Sequence, residues 1–316
     1  MEYQNKVGHQ MRWGYQVLLS FGCSLVLGVS AALAYQEAPV TDGGRITGKV
    51  TLKGSKPVPR GFNLVTFPDP LYCGRISNGA GWRLLKEFTI DEKNGVKDVV
   101  VMLSGIERGK PFAFQEPQIE AGDCQFKPSV TVVRDGGKVT VVNMDPVMHD
   151  IQAYETSNLG PRVLFNVPLP ISPKHTMVAS MGSDYKQHIA GTPMTQGINM
   201  TKGRRVFVMQ CGFHAYMESW GMAVDNPYFA LTDQAGRFEI GDIPPGKYKL
   251  VVWHPQARQT IEQEVTISAK GSAMMNVAIQ PREGTRAGMD TVENPRFGLG
   301  ILKDHEIKPT LELQQP

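Results

Sequence analysis

The chain has 316 residues, a formal net charge of +3, 20% charged residues and 41% hydrophobic residues. This composition excludes a disordered chain and a protein with many membrane spans, and the lack of any block of like charges gives no indication of a nucleic-acid partner. The 33 glycines and 22 prolines favour turns and short strands over long helices. We therefore expect an all-β protein with two or three domains.

Residues 1–34 have the pattern of an export signal. Lys6 and Arg12 supply a positive start, an apolar run follows, and Ala32-Leu33-Ala34 matches a cleavage site. The apolar run is long for a signal, so an uncleaved membrane anchor through residues 14–34 is the alternative. In either case we expect the rest of the chain in the periplasm or another extracytoplasmic, oxidising space.

Residues 35–118 form the first predicted β-region. Arg45–Leu52 alternates between apolar and polar residues, and Val96–Leu103 is rich in β-branched residues. The region has no carboxylate cluster, Ser/His pair or glycine-rich phosphate loop. We therefore interpret it as a structural β-region.

Two further β-patterned runs begin the region 119–224. Val130–Val133 and Val139–Asn143 are joined by a turn through Asp135, Gly136 and Gly137, which predicts a hairpin. His149 follows the second run after a short turn. A strand that leads into a loop histidine is a typical source of one metal ligand.

The connection 152–205 is a long insertion. Loops of this length are usually functional or disordered. Its histidines, His175 and His188, lie in no ligand-spaced cluster, so we interpret them as solvated loop residues.

The run that follows the insertion carries the strongest chemical signal of the chain. Cys211, His214 and Met217 have the spacing C-x2-H-x2-M. A thiolate with an imidazole selects copper or zinc, and a weak thioether beside them indicates copper. Blue-copper geometry needs a second imidazole, which His149 offers. Met222 is a rival axial ligand, but Met217 has the better spacing.

The cysteine count predicts one disulfide. Removal of Cys23 with the signal leaves Cys73, Cys124 and Cys211, an odd number in an oxidising compartment. Because Cys211 lies in the ligand motif, we expect the other two to form the pair Cys73–Cys124.

Residues 225–281 contain the run T-D-x-x-G-x-F-x-I, then a Pro-Pro-Gly corner and the strand that ends at Trp253. This pattern resembles the carboxypeptidase regulatory-like module, an Ig-like or transthyretin-like β-sandwich. About five strands are visible here, whereas such a sandwich has roughly seven. We therefore expect the strands of region 35–118 to pack with this module. His254 is interpreted as a packed strand histidine, and residues 282–316 as an extended tail.

The motifs around His149 and Cys211 resemble the cupredoxins, in particular the short-loop amicyanin and pseudoazurin-like type of plastocyanin-like blue copper proteins. The resemblance implies a Greek-key β-sandwich with one copper (Cu+/Cu2+) per chain. His149, Cys211 and His214 would bind in plane and Met217 axially. Where the family commonly has Asn after the first histidine, this chain has Asp150.

In an electron carrier of this kind, the electron must leave through one of the metal ligands. We expect the imidazole edge of His214 to reach the surface, surrounded by an apolar rim for a partner. The rim would consist of Phe213, Ala215, Tyr216 and Trp220.

Three functions fit these patterns. The first is an exported type 1 copper protein that transfers electrons to a redox protein or a membrane-associated respiratory complex. The second is a structural or partner-binding subunit in which the copper site is secondary or empty. The third is a copper enzyme, but multicopper oxidases and copper nitrite reductases need H-x-H or H-C-H clusters, which this sequence lacks. We therefore do not expect an enzyme.

Overall fold

The computed structural model describes residues 35–77, 82–85, 88–113, 115–157, 159–175, 188–282 and 291–292. The predicted signal at 1–34 and nearly all of the tail lie outside these residues. Within them, helical structure is confined to α1 (Pro70–Cys73) and two 3-10 turns, Leu64–Thr66 and Gly74–Ile76. The predicted all-β class is therefore confirmed. No helix in these ranges is long and apolar enough to cross a membrane.

The strands are numbered in chain order. Those before residue 118 are β1 (Gln36–Glu37), β2 (Gly44–Leu52), β3 (Arg60–Asn63), β4 (Trp82–Leu85), β5 (Val100–Ser104) and β6 (Arg108–Gly109). The central strands are β7 (Gln118–Ala121), β8 (Phe126–Lys127), β9 (Val130–Arg134), β10 (Lys138–Asn143), β11 (His149–Glu155), β12 (Arg162–Leu169), β13 (Met194–Gly197), β14 (Val206–Gln210) and β15 (Glu218–Val224). The last strands are β16 (Phe229–Leu231), β17 (Arg237–Ile243), β18 (Gly246–Trp253), β19 (Ile261–Ile267), β20 (Ser272–Met274), β21 (Val277–Ile279) and β22 (Thr291–Val292).

The first sandwich consists of β7 to β15. One sheet has the order β13-β10-β7-β8 and the other the order β12-β11-β14-β15-β9. Alternation along β10 and β11 turns residues such as Val141 and Ile151 into a core in which both are fully buried. Strand β14 pairs with β11 and β15, which places the ends of β11 and β14 beside each other.

Two features of this sandwich differ from the sequence prediction. The turn at Gly136 does not close a hairpin, because β9 pairs with β15 in one sheet and β10 pairs with β7 and β13 in the other. The turn instead connects the two sheets. The insertion 152–205 is not a single loop: β12 and β13 lie within it and form an edge of each sheet.

The second sandwich combines strands from both ends of the described chain. Its sheets have the orders β16-β5-β18-β19 and β17-β2-β20, with β21 also paired to β2. β2 and β5 occupy internal positions, so the N-terminal strands do pack with residues 225–281. Gly236 (φ 77°) lies in the turn before β17, where an added Cβ would be 2.3 Å from the Val50 carbonyl oxygen. That close approach requires glycine.

The two sandwiches share a third apolar cluster. It includes Met102 from β5, Val132 from β9, Met222 from β15 and Trp253 from β18, all of them buried. These residues lie on the outer faces of one sheet of each sandwich. Burial of their apolar surface therefore holds the two sandwiches together.

Candidate metal centre

The position of His149 is set by a hydrogen-bonded turn between β10 and β11. The side chain of Asn143 donates to the Val147 carbonyl oxygen (2.9 Å) and accepts from the backbone N–H of Asp145 (2.9 Å). These bonds close the turn within the buried end of the sandwich. His149 is the first residue of β11 and is fully buried.

The other predicted ligands lie on the loop between β14 and β15. The Met217 N–H donates to the His214 carbonyl oxygen (2.8 Å), and the Cys211 N–H donates to the Met217 carbonyl oxygen (3.1 Å). Because β14 and β15 pair on either side, this loop is closed at its base. The sequence between the strands therefore folds into one compact turn.

Three donor atoms converge where these two turns meet. Nδ1 of His149 lies 3.2 Å from Nδ1 of His214, and Cys211 Sγ lies 3.9 Å and 3.6 Å from these two nitrogens. A first-row metal about 2.0 Å from each nitrogen and about 2.3 Å from sulfur would separate such atoms by about 3.2 to 3.8 Å. The residues present therefore fit a trigonal metal site.

Neighbouring groups orient both imidazoles toward that point. Nε2 of His149 lies 2.9 Å from Asp145 Oδ2, and Nε2 of His214 lies 3.1 Å from the Pro68 carbonyl oxygen. Since these oxygens accept, each Nε2 carries the proton and each Nδ1 presents its lone pair. Such contacts fix the tautomer of metal-binding histidines.

Asp145 is the centre of a buried network. Its carboxylate also accepts from the Tyr72 hydroxyl (2.9 Å) and from the backbone N–H groups of Asp123 (2.7 Å) and Cys124 (2.8 Å). Burial opposes the charge, but the hydrogen bonds, led by that from His149, hold the pKa of Asp145 below its ordinary value. Asn143, Asp145 and His149 have the spacing N-x-D-x3-H in the sequence, but this spacing does not by itself assign the role to Asp145.

Burial and neighbouring groups also set the proton affinity of the donors. Burial raises the pKa of the Cys211 thiol to about 12. Burial and the nearby His149 lower the pKa of His214 to about 3. The imidazole of His214 is thus neutral and free to bind a cation, whereas the thiol loses its proton when a cation takes its place.

Asp150 joins the two ligand-bearing turns. Its carboxylate accepts from the backbone N–H of Gly212 (2.6 Å) and from the side chain of Gln152 (2.8 Å). Asp150 therefore makes a direct bond between the two turns. Asparagine, which the cupredoxin resemblance gives at this position, also has a side-chain oxygen that can accept such a bond.

A helical segment, which we call the cap (residues 64–76), covers His214. Its Cys73 forms the predicted disulfide with Cys124 (S–S 2.03 Å), and Cys73 Sγ lies 3.7 Å from His214 Nε2. His214 is consequently 0% exposed, so the prediction that its edge reaches the surface is wrong. The reason is a contact across 146 residues of sequence, from His214 to Pro68.

The predicted apolar rim is only partly exposed. Phe213 is 42% exposed, but Tyr216 is buried, and its ring packs edge-on against Phe67 of the cap (5.2 Å between centroids). Ala215 and Trp220 are half-buried. The exposed apolar residues next to the site are Phe213 and Met148, which precede the two histidines in sequence.

The two candidate axial methionines lie in different clusters. Met217 is buried in the core of the first sandwich together with Cys211. Met222 is buried in the cluster between the sandwiches, on the other face of β15. Strand alternation therefore separates Met222 from the core that contains Cys211.

The other histidines in the described ranges, His175, His188 and His254, do not join the centre. His188 is exposed and pairs with Asp123 (2.8 Å), and His175 lies in a turn closed by a bond from its own N–H to Ser172. His254 is buried and stacked on Phe88 at 4.5 Å, as expected for a packed histidine. Burial lowers the pKa of His254 to about 3.

Comparison with known proteins gives partial likenesses. The family described as "Polysaccharide lyase family 4, domain II" matches residues 217–274, whereas the motif had suggested a carboxypeptidase regulatory-like module. Compared with the curated proteins, the sequence matches none.

Among solved structures, a purple cupredoxin from Nitrosopumilus maritimus is 19% identical over 34% of this chain and 100% of its own, with a TM-score of 0.24. A copper-containing nitrite reductase from Thermus scotoductus is 16% identical over 36% of this chain and 24% of its own, with a TM-score of 0.23. An auracyanin from Roseiflexus castenholzii is 12% identical over 35% of this chain and 98% of its own, with a TM-score of 0.22. At such low TM-scores these similarities support no inference about this chain. The candidate metal centre is therefore argued from the distances between its own side chains.

Proposed function

We propose that this protein is an exported mononuclear type 1 copper protein that transfers electrons. His149, Cys211 and His214 would hold the copper, with Met217 as a fourth, weaker ligand. The observation that carries the proposal is the convergence of two Nδ1 atoms and one thiol sulfur within 3.9 Å of one another in a buried site. Export rests on the pattern of residues 1–34.

The chemistry of the donors favours electron transfer over catalysis. Copper in such a site supplies one-electron chemistry between Cu+ and Cu2+. The protein contributes two imidazoles held by Asp145 and Pro68, which limits rearrangement of the ligands. Burial of all three donors leaves no open side for a substrate among the described residues. A redox protein or a membrane-associated respiratory complex would be the partner.

We place the docking face for that partner at Met148 and Phe213. Met148 is 55% exposed and Phe213 is 42% exposed, and each is bonded in sequence to one of the two histidines. Contiguous exposed apolar patches mark partner surfaces, and these two residues would contribute to such a patch. The cap closes the other approach, because Pro68 and Cys73 cover Nε2 of His214.

The test is the visible absorption spectrum of the full chain loaded with Cu2+. We expect an intense thiolate-to-copper band that disappears in Cys211→Ser and His214→Ala. His188→Ala, which changes an exposed histidine outside the centre, should keep it. Met217→Leu should shift the band, whereas Met222→Leu should leave it unchanged because Met222 lies in another cluster. A Cys211→Ser variant that keeps the band would refute the assignment.

The second candidate function is a structural or partner-binding subunit of an extracytoplasmic complex. The burial of His214 under the cap favours it, since an edge that is 0% exposed offers no direct outlet for an electron. The resemblance of residues 225–281 to a regulatory-like module also favours this second function. A chain that stays colourless with excess copper, yet is folded, would support this function over the first.

A further inference from the structure

A cavity of about 290 Å³ lies where the two sandwiches meet. β4 supplies Arg83 and Leu85, the first sandwich supplies Phe126, Tyr216 and Trp220, and the second supplies His254. This volume is at the small end of ligand pockets, which span about 300 to 1,000 Å³. The cavity therefore suits a molecule of one ring or a short chain.

Two buried donors of this cavity have no hydrogen-bond partner among the described residues. They are the hydroxyl of Tyr216, a residue that is only 1% exposed, and the indole N–H of Trp220. Buried polar groups in folded proteins nearly always have partners, and exceptions often mark a bound water, ion or ligand. Both residues line the same cavity, so one occupant can serve both donors.

The cavity also holds one positive charge, Arg83, that no carboxylate of the described residues pairs with. Arg60 pairs with Glu218 (3.4 Å), and Lys97 pairs with Asp98 (2.7 Å). Arg83 donates to the Cys124 carbonyl oxygen (3.1 Å), and no carboxylate in the described ranges pairs with it.

Arg83 is half-buried in the wall of the cavity. Burial lowers its pKa to about 10, although its guanidinium remains charged at neutral pH. A charge in such surroundings gains from an anion that brings hydrogen-bond acceptors. His254 adds no second positive charge, because burial keeps it neutral.

We propose that this cavity binds a small organic carboxylate, with its oxygens on Arg83, Tyr216 and Trp220. A guanidinium and a carboxylate match each other in shape and can form two parallel hydrogen bonds. The apolar side chains of Leu85, Phe126 and Val130 line the same cavity and would contact the body of the ligand. The inference is independent of the copper assignment, since none of these contacts involves the predicted metal donors.

The test is calorimetric titration of the full chain with benzoate, which joins one carboxylate to one ring. We expect one benzoate per chain, and at least tenfold weaker binding in Arg83→Met, because a charged hydrogen-bonding group is lost. Tyr216→Phe, which removes only the hydroxyl, and Trp220→Phe, which removes the indole N–H together with part of the ring, should also weaken binding several-fold. Arg45→Met, an exposed arginine on β2, should bind like the wild type.

Two further ligands separate the contribution of the negative charge from that of the organic body of the ligand. Benzamide, which is neutral and of the same shape, should bind at least tenfold more weakly than benzoate, and inorganic phosphate should not compete with it. Equal binding of benzamide would overturn the role of charge, and preferred binding of phosphate would overturn the organic carboxylate. Absence of benzoate binding, or equal binding by Tyr216→Phe, Trp220→Phe and the wild type, would overturn the proposal even if Arg83→Met failed to fold.

Discussion

Asp145 orients the candidate metal centre without being one of its predicted ligands. Its carboxylate is fully buried and accepts four hydrogen bonds, from Tyr72, His149 and two backbone N–H groups. The bond from His149 leaves the opposite ring nitrogen free to face Cys211. One residue thus connects the cap, the turn at 123–124 and the first histidine.

Asp145→Asn should weaken copper binding about 10- to 100-fold, the usual cost of losing such a contact to a ligand histidine. The amide keeps the volume of the carboxylate but removes its charge and one of its acceptor oxygens. Competition with a copper chelator measures the affinity. Asp42→Asn, which changes an exposed aspartate paired with Lys270, is the control. An affinity within twofold of the wild type would show that Asp145 does not position His149.

The cap is the element that distinguishes this centre from one with an exposed histidine. It has few regular hydrogen bonds, since α1 spans only Pro70–Cys73. Its attachment depends on the Cys73–Cys124 disulfide, the Tyr72–Asp145 hydrogen bond and the packing of Phe67 on Tyr216. The disulfide closes a loop with a sequence separation of 51 residues.

Removal of this disulfide in Cys73→Ala/Cys124→Ala should lower the free energy of unfolding by about 4 kcal/mol in the chain-entropy description of a loop of this length. Because the cap covers His214, the double variant should also release copper faster. Urea unfolding and chelator-induced loss of colour measure the two effects. If stability falls while the rate of copper release is unchanged, the cap does not control access.

The end of β11 carries a second buried carboxylate, Glu155, far in sequence from the ligand turns. It accepts from Arg162 (2.6 Å) and Arg204 (2.6 Å) and from the backbone N–H of Thr201 (2.7 Å). Burial alone would raise its pKa, but these bonds outweigh it and lower the pKa from 4.5 to about 2. Glu155 thereby ties Arg162 of β12 and the segment 201–204 to the end of β11.

This depressed pKa predicts how stability depends on pH. Glu155 contributes its full stabilisation above pH 4.5 and loses it progressively as the pH falls toward 2, because the unfolded chain binds the proton first. Glu155→Gln should be less stable than the wild type at pH 7, and the difference should shrink below pH 4.5. The midpoints of urea unfolding of both proteins, measured from pH 7 to below pH 4.5, give this difference in stability. Glu264→Gln, at an exposed position, should show no such convergence.

At the scale of the whole molecule, the second sandwich is assembled from distant parts of the chain. β2 lies between β17 and β20, and β5 lies between β16 and β18. Each sheet therefore has an N-terminal strand in its interior. Residues 225–281 alone would lack both of these strands and expose the core formed by residues such as Ile46 and Leu103.

A fragment of residues 225–281 should consequently be unfolded by circular dichroism and by the dispersion of its amide proton resonances. Addition of a fragment of residues 35–113, which contains β2 and β5, should restore the dispersion. The reason is that internal strands supply hydrogen bonds on both edges. β2 and β5 also contribute buried residues such as Ile46, Val50 and Leu103 to the shared core. A fragment 225–281 that folds without its N-terminal complement would contradict this description.

The sequence by itself determined the features that depend on local spacing and composition. Alternation and turn residues indicated an all-β chain, the odd cysteine count indicated the Cys73–Cys124 pair, and C-x2-H-x2-M placed Cys211 and His214 on one turn. Such patterns are readable because each involves neighbours along the chain or a simple count.

Only the tertiary structure decided what surrounds these residues. Pro68 meets His214 across 146 positions, Tyr72 meets Asp145 across 73, and β2 enters a sheet with β17 and β20. A backbone carbonyl such as that of Pro68 leaves no signature in residue type, so no motif could reveal it. The turn at Gly136 likewise looks the same whether it closes a hairpin or connects two sheets, because the choice depends on the partners of β9 and β10. Long-range packing determines these contacts and strand pairings, because the apolar faces of strands that are distant in sequence are buried together only in the folded core.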